Sequence, residues 1–268
     1  MSLEQEIKAL QMFVKEGSYA EKQECVNNID KAKILLRDQL HGTEERRHEF
    51  QNLEWVAKFQ PIEIRVTNHS GFIEEILNYV RSEALSQVIT LDSKLIESNN
   101  LNGIVEGFMY ERTYYSKINL NKLGKSFNFT LGEDFTGLES EELMRVIATT
   151  SEKAKPLKSM YSELMLPFKT MDKDKLSLDI GSISKVPNKP VWDINAMINE
   201  LGEEFILKHG KVKLSAIDEW ILLGVLPKNI RSEYQQVVDI RLDFEVMSLE
   251  AERKALQAFK GRFERKAV

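Results

Sequence analysis

The chain has 268 residues, 42% of them hydrophobic and 29% charged, with a formal net charge of −5. That length holds one large domain or two small ones, and the acidic balance excludes a generally basic nucleic-acid binder while leaving room for a local patch. A single cysteine, Cys25, excludes an internal disulfide; Glu4 and Glu6 stand where a signal peptide needs cations, and no run of about 18 apolar residues occurs, so a cytoplasmic protein without a membrane span is expected.

The first sixty residues read as helices. Ser2 with Gln5 forms a capping box ahead of Leu3, Ile7, Leu10 and Val14, and Gly17 ends that helix. Ser18 with Glu21 opens a second helix through Cys25, Ile29, Ala32 and Leu36, closed by His41 and Gly42. Thr43 caps a third carrying Phe50, Leu53, Val56 and Phe59, ended by Pro61. From there Ile62, Ile64 and Val66 alternate with polar residues as in a half-buried strand. A helix over 71–81 follows, and the run 88–91 is too short to assign. Residues 104–110, 113–120 and 127–131 are rich in aromatic and β-branched types and predict strands, with a hairpin turn at 121–124. Thr136 with Glu139 then caps a helix through Ile147.

Four of the six prolines, Pro156, Pro167, Pro187 and Pro190, leave room only for a short helix over 157–166. Residues 176–180 predict a strand and 181–190 a linker. Beyond it, Asp193 caps a helix that stops at Gly210, and Ser215 opens another that stops at Gly224. Asn229 caps the last and longest, over 230–265. One stripe of that helix is Val238, Leu242, Val246, Leu249, Leu256, Phe259 and Phe263; a second runs from Ile230 and Tyr234 to Ala258. A rod of that span is about 54 Å long and needs neighbours on two sides.

The order predicts an α+β fold in three consecutive parts. A helical arm occupies 1–60, a central mixed sheet with helices 61–182, and a helical C-terminal region 191–268. Its two-striped rod, with the narrow-striped N-terminal helices, points to a non-catalytic binding or assembly protein that works through helical arms. The expected partner is another protein or a second copy, and no cofactor, metal or small-molecule ligand is expected.

Two other readings rest on particular residues. Phe108, Tyr110, Tyr114, Tyr115, Phe127 and Phe129 interleave with Arg112, Lys117, Lys122 and Lys125, against the single acid Glu111. Aromatics on a sheet face stack bases while cations take phosphates, which points to nucleic acid. Leu223-Gly224-Val225 followed by Ile230 resembles a helix-turn-helix, which would set Arg231, Ser232, Gln235 and Gln236 at the start of a recognition helix. Trp220, Glu219 and Glu233 depart from that pattern. Asp172, Asp174 and Asp179 beside a strand suit a divalent ion, and hence a metal-dependent nuclease. Glu45-Arg46-Arg47-His48 has the Glu-x-x-His spacing of a di-iron bundle but lacks the second pair such a site needs.

Overall fold

The structure is a computed structural model that describes residues 3–127 and 132–264, with side chains of the last helix described through Ala258. The first helices, α1 (Leu3–Lys15) and α2 (Ser18–Leu40), lie where the periodicity puts them. Gly17 parts them at φ +86°, a left-handed angle that costs a side chain strain, so the chain restarts its helix there. The Ser2 cap lies outside the described residues, and Gly17 rather than Ser18 holds the cap position of α2.

The third expected helix is instead a strand pair. β1 (Arg47–Phe50) runs antiparallel to the start of β2 (Trp55–Thr67), from Arg47 opposite Lys58 to Phe50 opposite Trp55. Adjacent residues of a strand point to opposite faces, and both Val56 and Ala57 are buried, so β2 is covered on both sides here. Its apolar run therefore lacks alternation and passes for a helix. Pro61 lies past the last bond to β1's side, Phe59 N–H to the Arg46 carbonyl, where no ladder bond is lost to it.

Next come α3 (His69–Leu77), α4 (Leu85–Val88), β3 (Ile89–Leu91), α5 (Ser93–Ser98) and α6 (Asn102–Val105). α6 and a 3-10 turn fill the stretch predicted as a strand over 104–110. β4 (Tyr114–Leu120) matches the next prediction, but α7 (Lys122–Ser126) replaces the hairpin turn. Asn121 starts it by accepting the Gly124 N–H at 2.9 Å. Of the strand expected over 127–131, residues 128–131 lie outside the described residues.

α8 (Ser140–Met165) is 26 residues long and passes straight through Pro156. It opens where the Glu142 carboxylate accepts the Glu139 N–H at 2.9 Å, three residues beyond the predicted cap. β5 (Lys175–Leu178) and β6 (Gly181–Pro187) follow, the second filling the expected linker. β6 is the centre of the sheet β4-β6-β5, with Ile118 and Leu176 both opposite Ile183. Then come α9 (Ile194–Leu201), α10 (Glu203–His209), β7 (Gly210–Val212) and α11 (Leu214–Leu222). Gly202, at φ +86°, splits in two the helix predicted from Asp193.

The rod expected over 230–265 is broken into three pieces. They are α12 (Ile230–Tyr234), β8 (Gln235–Ser248) and α13 (Leu249–Glu264). From Val238 to Val246 the chain alternates apolar and charged residues without a slip. Val238, Leu242 and Val246, spaced by fours, and Phe244 fit both a helix and a strand; Ile240 and the alternating charges fit only the strand. β8 lies on β2, giving the sheet order β1-β2-β8. The pair runs antiparallel, tied by Asn68 N–H to the Tyr234 carbonyl at one end and Leu249 N–H to the Glu54 carbonyl at the other. β8 spans one residue more than β2 between those ties, so it carries a bulge. The helical rod as a means of assembly goes with this correction.

The fold class is α+β, as predicted, but its compact units are interleaved in sequence rather than consecutive. One unit holds 1–60, 114–187 and 243–258; the other holds 61–113 and 188–242. The division falls inside both β2 and β8. In the first unit, α2 and α8 enclose Ala32, Leu36, Leu143, Met144 and Ile147, with Ala57, Phe59, Phe244 and Val246 laid against them from the sheet. A second cluster there gathers Leu10, Val14, Ile118, Phe168, Ile180 and Ile183. The other unit buries Phe72, Ile73, Ile76, Ile89, Ile194, Ile206, Ile217 and Ile230.

Candidate functional site

The residues singled out for nucleic acid are divided between the two compact units. Tyr110 and Arg112 belong to one compact unit, Tyr114, Tyr115, Lys117, Lys122 and Lys125 to the other. On β4, alternation sends Tyr114 inward, where the Lys185 ammonium sits 4.5 Å from its ring centroid. Tyr115 and Lys117 face solvent on the opposite side of the sheet. Register brings Ser184 opposite Lys117, and Lys175 opposite Ser184, so this outer face carries one tyrosine and two lysines. Lys122 and Lys125 are exposed on α7, and Arg112 directs its Nε at the Met109 sulfur, 3.0 Å away.

The acidic triad fares less well. Asp172, Asp174 and Asp179 are all exposed, and among the described residues no group of three or more His, Cys, Asp or Glu side chains is placed to hold a metal ion. His48 meets Thr43 Oγ1 at 3.2 Å and Glu45 at 4.0 Å, a local arrangement in the loop before β1. Burial pushes the Cys25 thiol up from its usual range, against the opposing effect of Lys153, and so disfavours the thiolate a nucleophile needs. The helix-turn-helix resemblance ends within one turn: Ile230 is fully buried, α12 stops at Tyr234, and Gln235 already belongs to β8.

The predicted interface stripe is dispersed as well. Val246 is half-buried against the α2–α8 cluster, and Leu249 opens α13. Leu256 is exposed on α13, and the side chains of Phe259 and Phe263 lie outside the described residues. Val238 and Leu242 stand open on β8, where they keep different company from that expected.

That company is the most unusual feature of the molecule. Every residue from Pro61 to Val66 and from Gln236 to Leu242 is exposed, on both faces of the strand pair. Ile62, Ile64, Val66, Val237, Val238, Ile240 and Leu242 are therefore open to solvent together. The sequence predicted a half-buried strand at 62–66; no layer covers it among the described residues. A two-stranded ribbon with nothing over it is marginal alone, and each aliphatic left open forgoes about 1.5–3 kcal/mol of burial. β1 pairs with β2 no further than Arg47 opposite Lys58 and the Arg46 carbonyl on Phe59 N–H, and β8 ends the sheet order, so among the described residues the ribbon has an open edge on either side. Ile240, missing from both stripes of the supposed rod, is the most exposed of these aliphatics at 60%.

Beside the ribbon is a concavity of about 800 Å³, bordered by Pro61, Arg65, Lys228, Arg231 and Ile240. Its guanidiniums are already engaged. Arg65 Nε lies 2.9 Å from Glu63, and Arg231 donates to Gln235 at 2.9 Å and also pairs with Asp218. At the other end of β2 an ionic cluster ties the sheet to α13. The Arg47 guanidinium reaches Glu252 at 2.8 Å, Lys58 lies 3.6 Å from the same carboxylate, and Glu245 lies 3.7 Å from Lys58. Arg47, then Lys58, hold the Glu252 carboxyl below its usual range, against the opposing effect of burial.

Among the described residues no helix is long and apolar enough to cross a membrane. No protein family, curated protein or solved structure matches this chain.

Proposed function

We propose that this is a non-catalytic assembly protein, and that the element it assembles through is the β2–β8 ribbon rather than a helix. The observation that carries the reading is the set of seven aliphatic side chains open on a ribbon with two free edges. A strand edge offers a row of backbone donors and acceptors, and neighbouring aliphatics add burial when a further strand pairs with it. Light scattering on the full chain across a concentration series tests it. A mass above 31.0 kDa for a particle of this chain supports the reading. A strict monomer at every concentration, with no protein retained on immobilised chain, contradicts it.

A second reading has one observation in its favour: Tyr115 and Lys117 share the outer face of β4 with Lys175 on β5. That arrangement suits a stacked base beside phosphates. Filter binding with single-stranded DNA and RNA decides it. Affinity that falls steeply with salt and weakens in Tyr115→Ala and Lys117→Ala supports it, and no binding at low salt removes it.

A further inference from the structure

The free edge of β8 is written so that it pairs with itself. The geometry points to a two-fold contact in which the β8 edge, centred on Ile240, pairs antiparallel with β8 of a second copy of this chain. This deepens the assembly reading and rests on it.

The first support is the charge pattern. Antiparallel pairing of Val238-Asp239-Ile240-Arg241-Leu242 with its own copy about Ile240 sets Asp239 opposite the second copy's Arg241, and by symmetry the reverse. Val238 then faces Leu242, and Ile240 faces itself. Shifting the centre to Asp239 sets two aspartates opposite each other, and shifting it to Arg241 opposes two arginines and brings Asp239 against Asp243. Shifting by half a step puts Ile240 against Arg241 and Val238 against Asp243. Of the registers centred on Asp239, Ile240 and Arg241, the Ile240-centred one alone pairs opposite charges across Val238–Leu242 and keeps aliphatic against aliphatic there, and cross-strand pairs of these kinds fix strand register.

The second support is the state of the edge itself. The Ile240 N–H is taken by the Asp239 side chain, Oδ1 at 2.8 Å. The strand thus closes one of its own donors with a neighbouring carboxylate. In the two-fold contact the Asp239 carboxylate turns from the Ile240 N–H to Arg241 across the seam, and that N–H is left to a backbone carbonyl of a neighbouring strand. Both groups keep a partner, so no buried polar group is orphaned. The contact asks Arg241 to face that carboxylate, not to lack contacts within its own chain. Val238, Ile240 and Leu242, exposed at 54%, 60% and 48%, become one stripe along the joined sheet.

Sedimentation equilibrium on the full chain tests the register with a charge exchange. Asp239→Arg sets arginine against Arg241 twice in the dimer, and Arg241→Asp sets two aspartates against each other twice. Each is expected to weaken the dimer by about tenfold or more. The double variant Asp239→Arg with Arg241→Asp restores both pairs and is expected to recover the dimer. Both substitutions lie on an exposed segment, and circular dichroism checks that each of the three variants folds. Wild-type dimer, two weakened single variants and a recovered double variant establish the contact. If wild type dimerises and the single variants dimerise equally, or the double variant stays as weak as the singles, this contact is wrong while self-association stands. If wild type is a monomer throughout, the contact is wrong, and the protein-retention measurement alone decides the broader reading.

Discussion

Glu252 lies in the first turn of α13 and is the one nearly buried acid in the ionic cluster, with Arg47 at 2.8 Å and Lys58 at 3.6 Å. Its carboxyl is held below the ordinary glutamate value, mainly by the Arg47 hydrogen bond. A depressed carboxylate stabilises the fold above its ordinary value, and that contribution is lost as pH falls through the folded one. Glu252→Gln is therefore expected to lower stability by about 1–2 kcal/mol at neutral pH, with the gap from wild type closing in acid. Urea titrations at two pH values read this directly; an equal gap at both would show that the pairing is not electrostatic. His209 and His69 in the other unit behave in the same sense. Burial first, then Lys208 for His209 and Lys211 for His69, holds each imidazole below its usual value. The folded chain keeps them neutral while the unfolded chain takes up protons below about pH 6.5, so stability falls as pH drops from that point. His209→Phe, placed against the Phe205 ring 4.8 Å away, is expected to flatten that part of the profile in a pH series of thermal unfolding.

At the scale of elements, the sequence was easiest to read where a single surface is buried and hardest where both or neither are. α1, α2 and β4 follow their patterns because one side of each faces a core and the other faces water. The stretch around Val56 and Ala57 is covered on both faces, so no alternation marks it as strand, and its spacing of Phe50, Leu53, Val56 and Phe59 mimics a helix. β8 failed for a different reason. Its alternation from Val238 to Val246 is complete, but every second apolar residue also falls on a helical stripe, and a period of four hides inside a period of two. Of the candidate site, Val238 and Leu242 were found, for the wrong element; Ile240 and Ile62 were missed although the alternation contains them. Pro156 misled by a different route. It was expected to break the helix, yet α8 runs through it and gives up only the N–H that would meet the Glu152 carbonyl. Because Pro156 is exposed, Pro156→Ala meets no obstacle, restores that bond and is expected to raise stability by about 1 kcal/mol, offset in part by the looser unfolded chain. A lowered melting temperature would mean that the proline shapes α8 in a way its neighbours need.

At the scale of the whole molecule, two interleaved units keep ordinary cores while, among the described residues, one strand pair is left uncovered on both faces. Open aliphatics on a free edge are a liability for a chain that stays alone and an asset for one that pairs. In the working state, that edge is expected to be occupied. Amide hydrogen exchange along Gln236–Leu242, followed from dilute to concentrated protein, measures this at the site itself. Those amides of the stretch that face the free edge are expected to exchange quickly in dilute solution and to become protected as concentration rises. Exchange that stays equally fast at every concentration, in a sample whose measured mass shows association, would place assembly elsewhere and contradict pairing at this edge.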